Sequence, residues 1–233
     1  MVQTFTEQSI VSDIVKQFPR SSDLFKAYKI DFCCGGNRPL SEAIAKRGLS
    51  PEEILKNLNT LYKEKEAKQH IQIDWDTASS AEVMDHIVQK HHNYLQEELP
   101  NLSPYVTKVM KVHGGKQSHL RVVHKLFHDL KTDLEQHTVK EEMEEFPLIK
   151  SYEENPTEER LRAIQEGLSD LAMEHSHAGE ILHELRRITN DYTPPEGACG
   201  TYRLVYNRLE ELESDTFEHI HLENNILFPR YMA

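Results

Sequence analysis

Histidine and glutamate recur at one spacing in two places along the chain. Residues 137–147 read His137-Thr138-Val139-Lys140-Glu141-Glu142-Met143-Glu144-Glu145-Phe146-Pro147, and residues 219–229 read His219-Ile220-His221-Leu222-Glu223-Asn224-Asn225-Ile226-Leu227-Phe228-Pro229. Both fit H-x3-E-x4-F-P, an internal repeat that implies two equivalent half-sites. On a helix, a step of four brings His and Glu to one face, one turn apart. His92 lies 45 residues before His137, and His175 lies 44 before His219. Two further helices therefore each supply one imidazole at matching places. Four histidines and two carboxylates suit two iron ions, with Glu141 and Glu223 each able to bridge the pair. Imidazole also suits zinc, copper and nickel, and the carboxylates add hard oxygen character. A single His–Glu pair at this spacing is ordinarily a solvent-facing hydrogen bond. Chance poorly explains two copies with the same Phe-Pro exit and matching upstream histidines. Four inward histidines without metal would also be costly to bury.

The remaining candidates sort by helical angle. At about 100° per residue, Leu120, Val123, Leu126, Phe127, Leu130 and Leu134 share the side of His137. His124 and His128 fall near the opposite side. His177 and His221 point away from His175 and His219, and His86 and His183 lie off to the side. These six are expected on solvated faces. His113, before Gly114-Gly115, either closes the site from a loop or caps a helix, and capping is the simpler reading. Glu142, Glu144 and Glu153 are expected to be surface charges. Glu145, one turn beyond Glu141, is either another surface charge or the lining of an access path. Cys33 and Cys34 precede Gly35-Gly36 in a turn where backbone amides can stabilise a thiolate. Their candidate roles are thiol exchange, transient iron or cluster capture, or delivery of reducing equivalents. The alternative is a buried cysteine that packs a small domain. Cys199, alone in a Pro/Gly loop, receives no role.

The elements that must position these residues are all helical, since no segment alternates convincingly at period two. Residues 1–66 read as a small domain of short helices. Ser9 to Phe18 has helical apolar spacing, Ser21 to Tyr28 forms a second short helix, and a turn follows at residues 33–39. Ser50-Pro51-Glu52-Glu53 is a helix start, with an N-cap serine, proline at the first position and acids at the positive dipole end. Charge and loss of periodicity place a linker near 66–76. Four longer helices fill 76–233. The first opens on the capping box Ser79-x-x-Glu82 and ends before Pro100, with residues 103–113 adding a turn or two. The second runs from about Gln117 to Glu145 and stops at Pro147. The third runs from after Thr157 to about Thr189, and the fourth from about Thr201 to Leu227. The chain thus reads as two similar helical hairpins facing each other, an arrangement in which bundle cores host metal centres.

Composition narrows the function classes. The chain of 233 residues carries 39 acidic against 27 basic side chains, a net charge of −12. A phosphate backbone would be repelled, so nucleic acid is not an expected partner. No apolar run is long enough to span a membrane, and the first residues lack the basic and apolar stretches of a signal peptide. Three cysteines, two of them adjacent, make no disulfide framework and suggest a reducing compartment, hence a cytoplasmic protein. The 14 histidines are the unusual feature of the composition.

Taken together, the two repeats, Glu174-His175-x-x-Ala178-Gly179-Glu180, Asp31-Phe32-Cys33-Cys34-Gly35-Gly36 and Thr193-Pro194-Pro195-x-x-Ala198-Cys199 resemble the repair-of-iron-centres family. The resemblance covers nearly the whole chain. It implies a hemerythrin-like up-down-up-down four-helix bundle with a small N-terminal cysteine domain. It also implies an oxo- or hydroxo-bridged pair of iron ions on His92, His137, Glu141, His175, His219 and Glu223, the six residues the repeat selects independently. The choice of His92 over His91 rests on alignment through Leu99-Pro100. The implied function is repair of iron-sulfur clusters damaged by nitrosative or oxidative stress, with iron donation as the means. The implied partners are iron-sulfur client proteins, an electron donor and a second copy of the chain in a homodimer. Other readings are a di-iron nitric oxide reductase, a module that binds oxygen or nitric oxide, and a structural zinc site. The symmetric four-His, two-Glu set departs from the more histidine-rich site of oxygen-carrying hemerythrins.

Overall fold

The computed structural model describes residues 5–18, 21–32, 36–67, 75 and 77–232, with side chains for all of these except 23 and 63–67. Cys33 and Cys34 lie outside the described residues, as do Pro19 and residues 68–74 of the expected linker. In chain order the helices are α1 (Val11–Gln17), α2 (Ser21–Ala27), α3 (Leu40–Arg47), α4 (Pro51–Ala67), α5 (Ser80–His86), α6 (Asn93–His113), α7 (His119–Lys140), α8 (Phe146–Glu154), α9 (Glu158–Ile188) and α10 (Gly200–Leu222). Three π-helical segments interrupt them at Ile87–His92, Glu141–Glu145 and Glu223–Leu227. The fold is all-α; among the described residues the only β-type pairing is an isolated bridge between Ile10 and Pro39.

The chain divides into two compact units. The first joins the described residues up to Val83 with Phe217–Tyr231, and the second is Met84–Thr216. In the first unit, Val11, Ile14, Phe25, Leu40, Ile54 and Leu58 form the core. The free amides at the start of α1 are satisfied by the 36–38 turn, Val11 N–H by the Arg38 carbonyl and Ser12 N–H by that of Gly36. Asn59 holds Phe5, accepting from its N–H and donating to its carbonyl, both at 3.1 Å. Helix α3 is absent from the sequence expectation. Its stop is Gly48 at φ 65°, the left-handed position where glycine carries no Cβ penalty. Ser50 caps α4 as expected, its Oγ accepting from Glu53 N–H at 3.4 Å. The capping box also forms: Glu82 N–H donates to Ser79 Oγ at 3.2 Å and Ser79 N–H to Glu82 Oε2 at 2.8 Å. At the C-terminal side of this unit, Arg230 donates to the Trp75 carbonyl and to Ser80 Oγ, and Tyr231 donates to Ser80 Oγ.

The second unit is a four-helix bundle of α6, α7, α9 and residues 200–216 of α10. Each helix turns one apolar stripe inward, for example Leu95-Leu99-Leu102-Val106 on α6 and Val123-Phe127-Leu130-Leu134 on α7. Charge pairs join neighbours: Arg208 to Glu98 through two hydrogen bonds of 2.7 Å, and Arg186 to the buried Glu213. The first bundle helix does not end before Pro100. It passes through both Pro100 and Pro104 to His113. Its apolar stripe continues to Val109, and both prolines are exposed. The carbonyls they leave without a helical donor therefore lie on the wet side. Nor does Pro147 stop the second helix: it directly follows a π segment in which the amide before it already bonds five residues back, and the helix runs on through α8. Helix α9 starts as expected, with Thr157 accepting from Arg160 N–H.

Candidate metal centre

The repeat in the sequence is also a repeat in the backbone. Both copies leave α-helical geometry at the glutamate: Glu141 opens one five-residue π segment and Glu223 the other. The amide of Phe146 donates to the Glu141 carbonyl, and that of Phe228 to the Glu223 carbonyl. Each bond spans five residues, so the helix widens at the carboxylate, and the proline follows directly. Such π segments concentrate at functional sites. The third one, Ile87–His92, ends on His92.

Within the bundle unit four of the six expected residues come together. His137 Nε2 lies 3.0 Å from His175 Nε2. Glu141 Oε2 lies 3.4 Å from His137 Nε2 and 3.2 Å from His92 Nε2. All four side chains are nearly fully buried. In the other unit His219 Nε2 lies 2.9 Å from Glu223 Oε1, and both are buried. His92, rather than His91, reaches Glu141. His91 is also buried but turns its Nδ1 to Asp215 Oδ1 at 3.0 Å. The ring of Phe146, the phenylalanine of the first repeat, stacks on His92 with an interplanar angle of 10°.

The far side of two rings fixes what the near side offers. His137 Nδ1 is 2.8 Å from Glu174 Oε2, and His92 Nδ1 is 2.9 Å from Glu142 Oε1. An ionised carboxylate only accepts, so each Nδ1 carries the proton and each Nε2 presents a lone pair. On His137 that lone pair faces a second imidazole nitrogen, and on His92 it faces a carboxylate oxygen. Such convergence of acceptors calls for a cation or a proton between them. Carboxylate–histidine pairs of this kind orient metal ligands and raise their basicity. The donor set therefore fits a divalent or trivalent ion of the imidazole- and carboxylate-binding class. The hydrogen bond from His137 comes first in holding the Glu174 carboxyl down to about 2, with Lys140 adding to it against partial burial. Lys140 Nζ lies 3.0 Å from Glu174 Oε1.

Sequence reasoning missed Glu142 and Glu174. Glu142 was expected to be a surface charge, and it is half-buried against His92. Glu174 directly precedes His175, but no spacing rule marks it as a partner of His137. His221 corrects the expectation of a solvated face. It is buried, with Asn225 Nδ2 3.1 Å from its Nδ1 and the Phe32 ring 6.1 Å away, and burial lowers its pKa to about 4. His177 is exposed as expected. Glu145 is buried rather than superficial, and desolvation pushes its carboxyl above the usual range. Gly167 makes room for it: a Cβ there would fall 2.2 Å from Glu145 Oε2.

Known proteins agree with this architecture. Residues 83–231 match the family described as the hemerythrin HHE cation binding domain, and residues 7–62 match a family described as a domain of unknown function (DUF542). The bundle is thus that of a hemerythrin-type cation-binding protein. A protein of Staphylococcus haemolyticus (strain JCSC1435) named iron-sulfur cluster repair protein ScdA is 36% identical over 226 residues, spanning 97% of this chain and 99% of its own. Proteins named iron-sulfur cluster repair protein YtfE are 38% identical in Citrobacter koseri, over 99% of both chains, and 39% identical in Escherichia coli O8 (strain IAI1), over 96% of both. The chain belongs to this family of iron-sulfur cluster repair proteins.

Proposed function

We propose that this chain helps restore damaged iron-sulfur clusters, holding two iron ions and giving iron up to client proteins. The observation that carries this reading is the pair of histidines, His92 and His137, each tied by Nδ1 to a carboxylate and presenting Nε2 to Glu141. The proposed ligands are His92, His137, Glu141, His175, His219 and Glu223. The last two enter through the sequence repeat, which makes Glu223 the counterpart of Glu141. Bound iron would supply a redox-dependent affinity, the ferrous ions being the labile form. The chain's own residues set the rest. Glu142 and Glu174 hold the imidazoles in one tautomer, and the hydrogen bond from His137, with Lys140 adding to it, keeps Glu174 ionised. Glu141 and Glu223 supply the hard oxygen that retains the ions, and Cys33 and Cys34 receive or relay iron. The protein would act in the cytoplasm as a homodimer, with a separate electron donor.

The test is transfer. Full-length protein loaded anaerobically with ferrous iron is mixed with sulfide and an apo iron-sulfur enzyme, and recovery of cluster absorbance and activity is followed. Faster recovery than with the same free ferrous iron held by a chelator is expected, slowed by Cys33→Ser with Cys34→Ser. Recovery no faster than from the chelated iron contradicts the reading.

A further inference from the structure

Helix α7 carries a second pair of histidines, His124 and His128, one turn apart on a face that the proposed iron centre does not use. Two histidines at i and i+4 are the arrangement by which a single helix chelates a metal. Their rings lie 4.4 Å apart between centroids. Both turn Nε2 toward one atom of the neighbouring helix: Thr107 Oγ1 on α6 is 3.1 Å from His124 Nε2 and 3.4 Å from His128 Nε2. A hydroxyl has one proton and donates it to only one of the two rings. The other ring must then donate its own N–H, so hydrogen bonding alone requires different tautomers on neighbouring histidines. A divalent ion removes that requirement, since both nitrogens and the oxygen can offer lone pairs to one centre. All three residues are half-buried, which leaves the locus open to solvent. Burial first, then the neighbouring His124 and Lys131, keeps His128 below its ordinary pKa against the opposing Asp129. That favours the neutral ring that metals need.

We propose that His124, His128 and Thr107 form a peripheral site for a divalent transition ion of the imidazole-preferring class, with zinc as the representative. Water would complete the coordination, because among the described residues no carboxylate shares the converging point. The site lies nine residues before His137 on the same helix, roughly two and a half turns away. An ion there would tie α6 to α7 beside the loop that joins them. This inference concerns residues outside the proposed iron ligands and does not depend on them.

The experiment is calorimetric titration of zinc chloride into full-length, iron-loaded protein, with iron content measured before and after. Wild type is compared with His124→Asn, His128→Asn and the double variant, each checked for helicity by circular dichroism. Every other zinc-binding group is common to the four proteins, so the difference isolates the pair. Wild type is expected to take up one more equivalent of zinc than the double variant, and each single replacement to weaken that uptake by about tenfold or more. Identical stoichiometry and affinity in wild type and double variant would overturn the proposal. A second measurement needs no variant: zinc should protect His124 and His128 of wild type from ethoxyformylation, read by peptide mass spectrometry. Equal modification with and without zinc would also overturn it.

Discussion

His137 and His175 bring their Nε2 atoms within 3.0 Å of each other from two different helices, while Glu174, the residue before His175, grips the other nitrogen of His137 at 2.8 Å. Adjacent residues of α9 thus address both sides of one imidazole on α7. The ring cannot rotate without losing the carboxylate, and its lone pair is held toward His175.

Removing that grip should loosen metal without dismantling the bundle. Glu174 is partly exposed and its loss leaves the core intact. Glu174→Ala is expected to weaken iron affinity by about 10- to 100-fold, in line with other carboxylates that orient metal-bound histidines. Competition with a coloured ferrous chelator measures this. Unchanged affinity in a normally helical variant would assign Glu174 a surface role.

The core behind the centre should follow ordinary packing energetics. Phe127 is fully buried on the inward stripe of α7. Phe127→Ala is expected to cost about 3–5 kcal/mol through lost burial and the cavity left behind. Urea unfolding of wild type and variant checks this.

The contact between Gly167 and Glu145 sets two effects against each other. Alanine in place of a helical glycine gains about 1 kcal/mol of helix propensity. The same Cβ would sit 2.2 Å from Glu145 Oε2 and must displace a buried carboxylate, a repacking that costs about 1–3 kcal/mol. Gly167→Ala alone should therefore be neutral to destabilising. In the Glu145→Ala background the same change should stabilise, a reversal that a double-mutant cycle would reveal. Equal effects in both backgrounds would mean that the glycine is not there for Glu145.

Acid should weaken the bundle partly through His119. Its Nε2 lies 3.2 Å from Tyr202 Oη and 3.0 Å from Tyr206 Oη, and burial lowers its pKa from 6.5. The unfolded chain then binds a proton at higher pH than the folded one. The contribution of His119 is full above 6.5 and is lost as pH falls from there through its lower folded value. His119→Asn should be less stable at pH 7.5 by about 1 kcal/mol, from the altered hydrogen bonds. It should also lose less stability between pH 7.5 and 5.5 than wild type does. Denaturant melts at the two pH values decide it, and parallel losses would exclude His119 as a contributor.

What was legible in the sequence was local. The capping box at Ser79 and Glu82, the start at Ser50-Pro51 and the two H-x3-E-x4-F-P copies depend on spacing within one element, and the expected helices stand where they begin. Proline was read too strongly at 100 and 147. An apolar stripe that runs on past an exposed proline outweighs one missing hydrogen bond, and before Pro147 the ordinary hydrogen-bond ladder is already shifted by the π segment. Helix α3 was missed although Gly48 marked its end. The roles of Glu142 and Glu174 were not legible, since each partner histidine lies on another helix, 50 and 37 residues away. Only packing brings such pairs together. His221 was misplaced for a related reason: its helix is covered on more than one face, with Phe32 packed on the side assigned to water.

The central claim is a two-iron centre on both copies of the repeat, and metal content tests it most directly. Iron and zinc would be measured per chain in aerobically purified protein, alongside the visible spectrum. About two irons per chain with charge-transfer bands of a bridged ferric pair are expected, with iron lost in His137→Ala and equally in Glu223→Ala. A single zinc in place of iron, no metal, or full iron retention in Glu223→Ala would contradict the account.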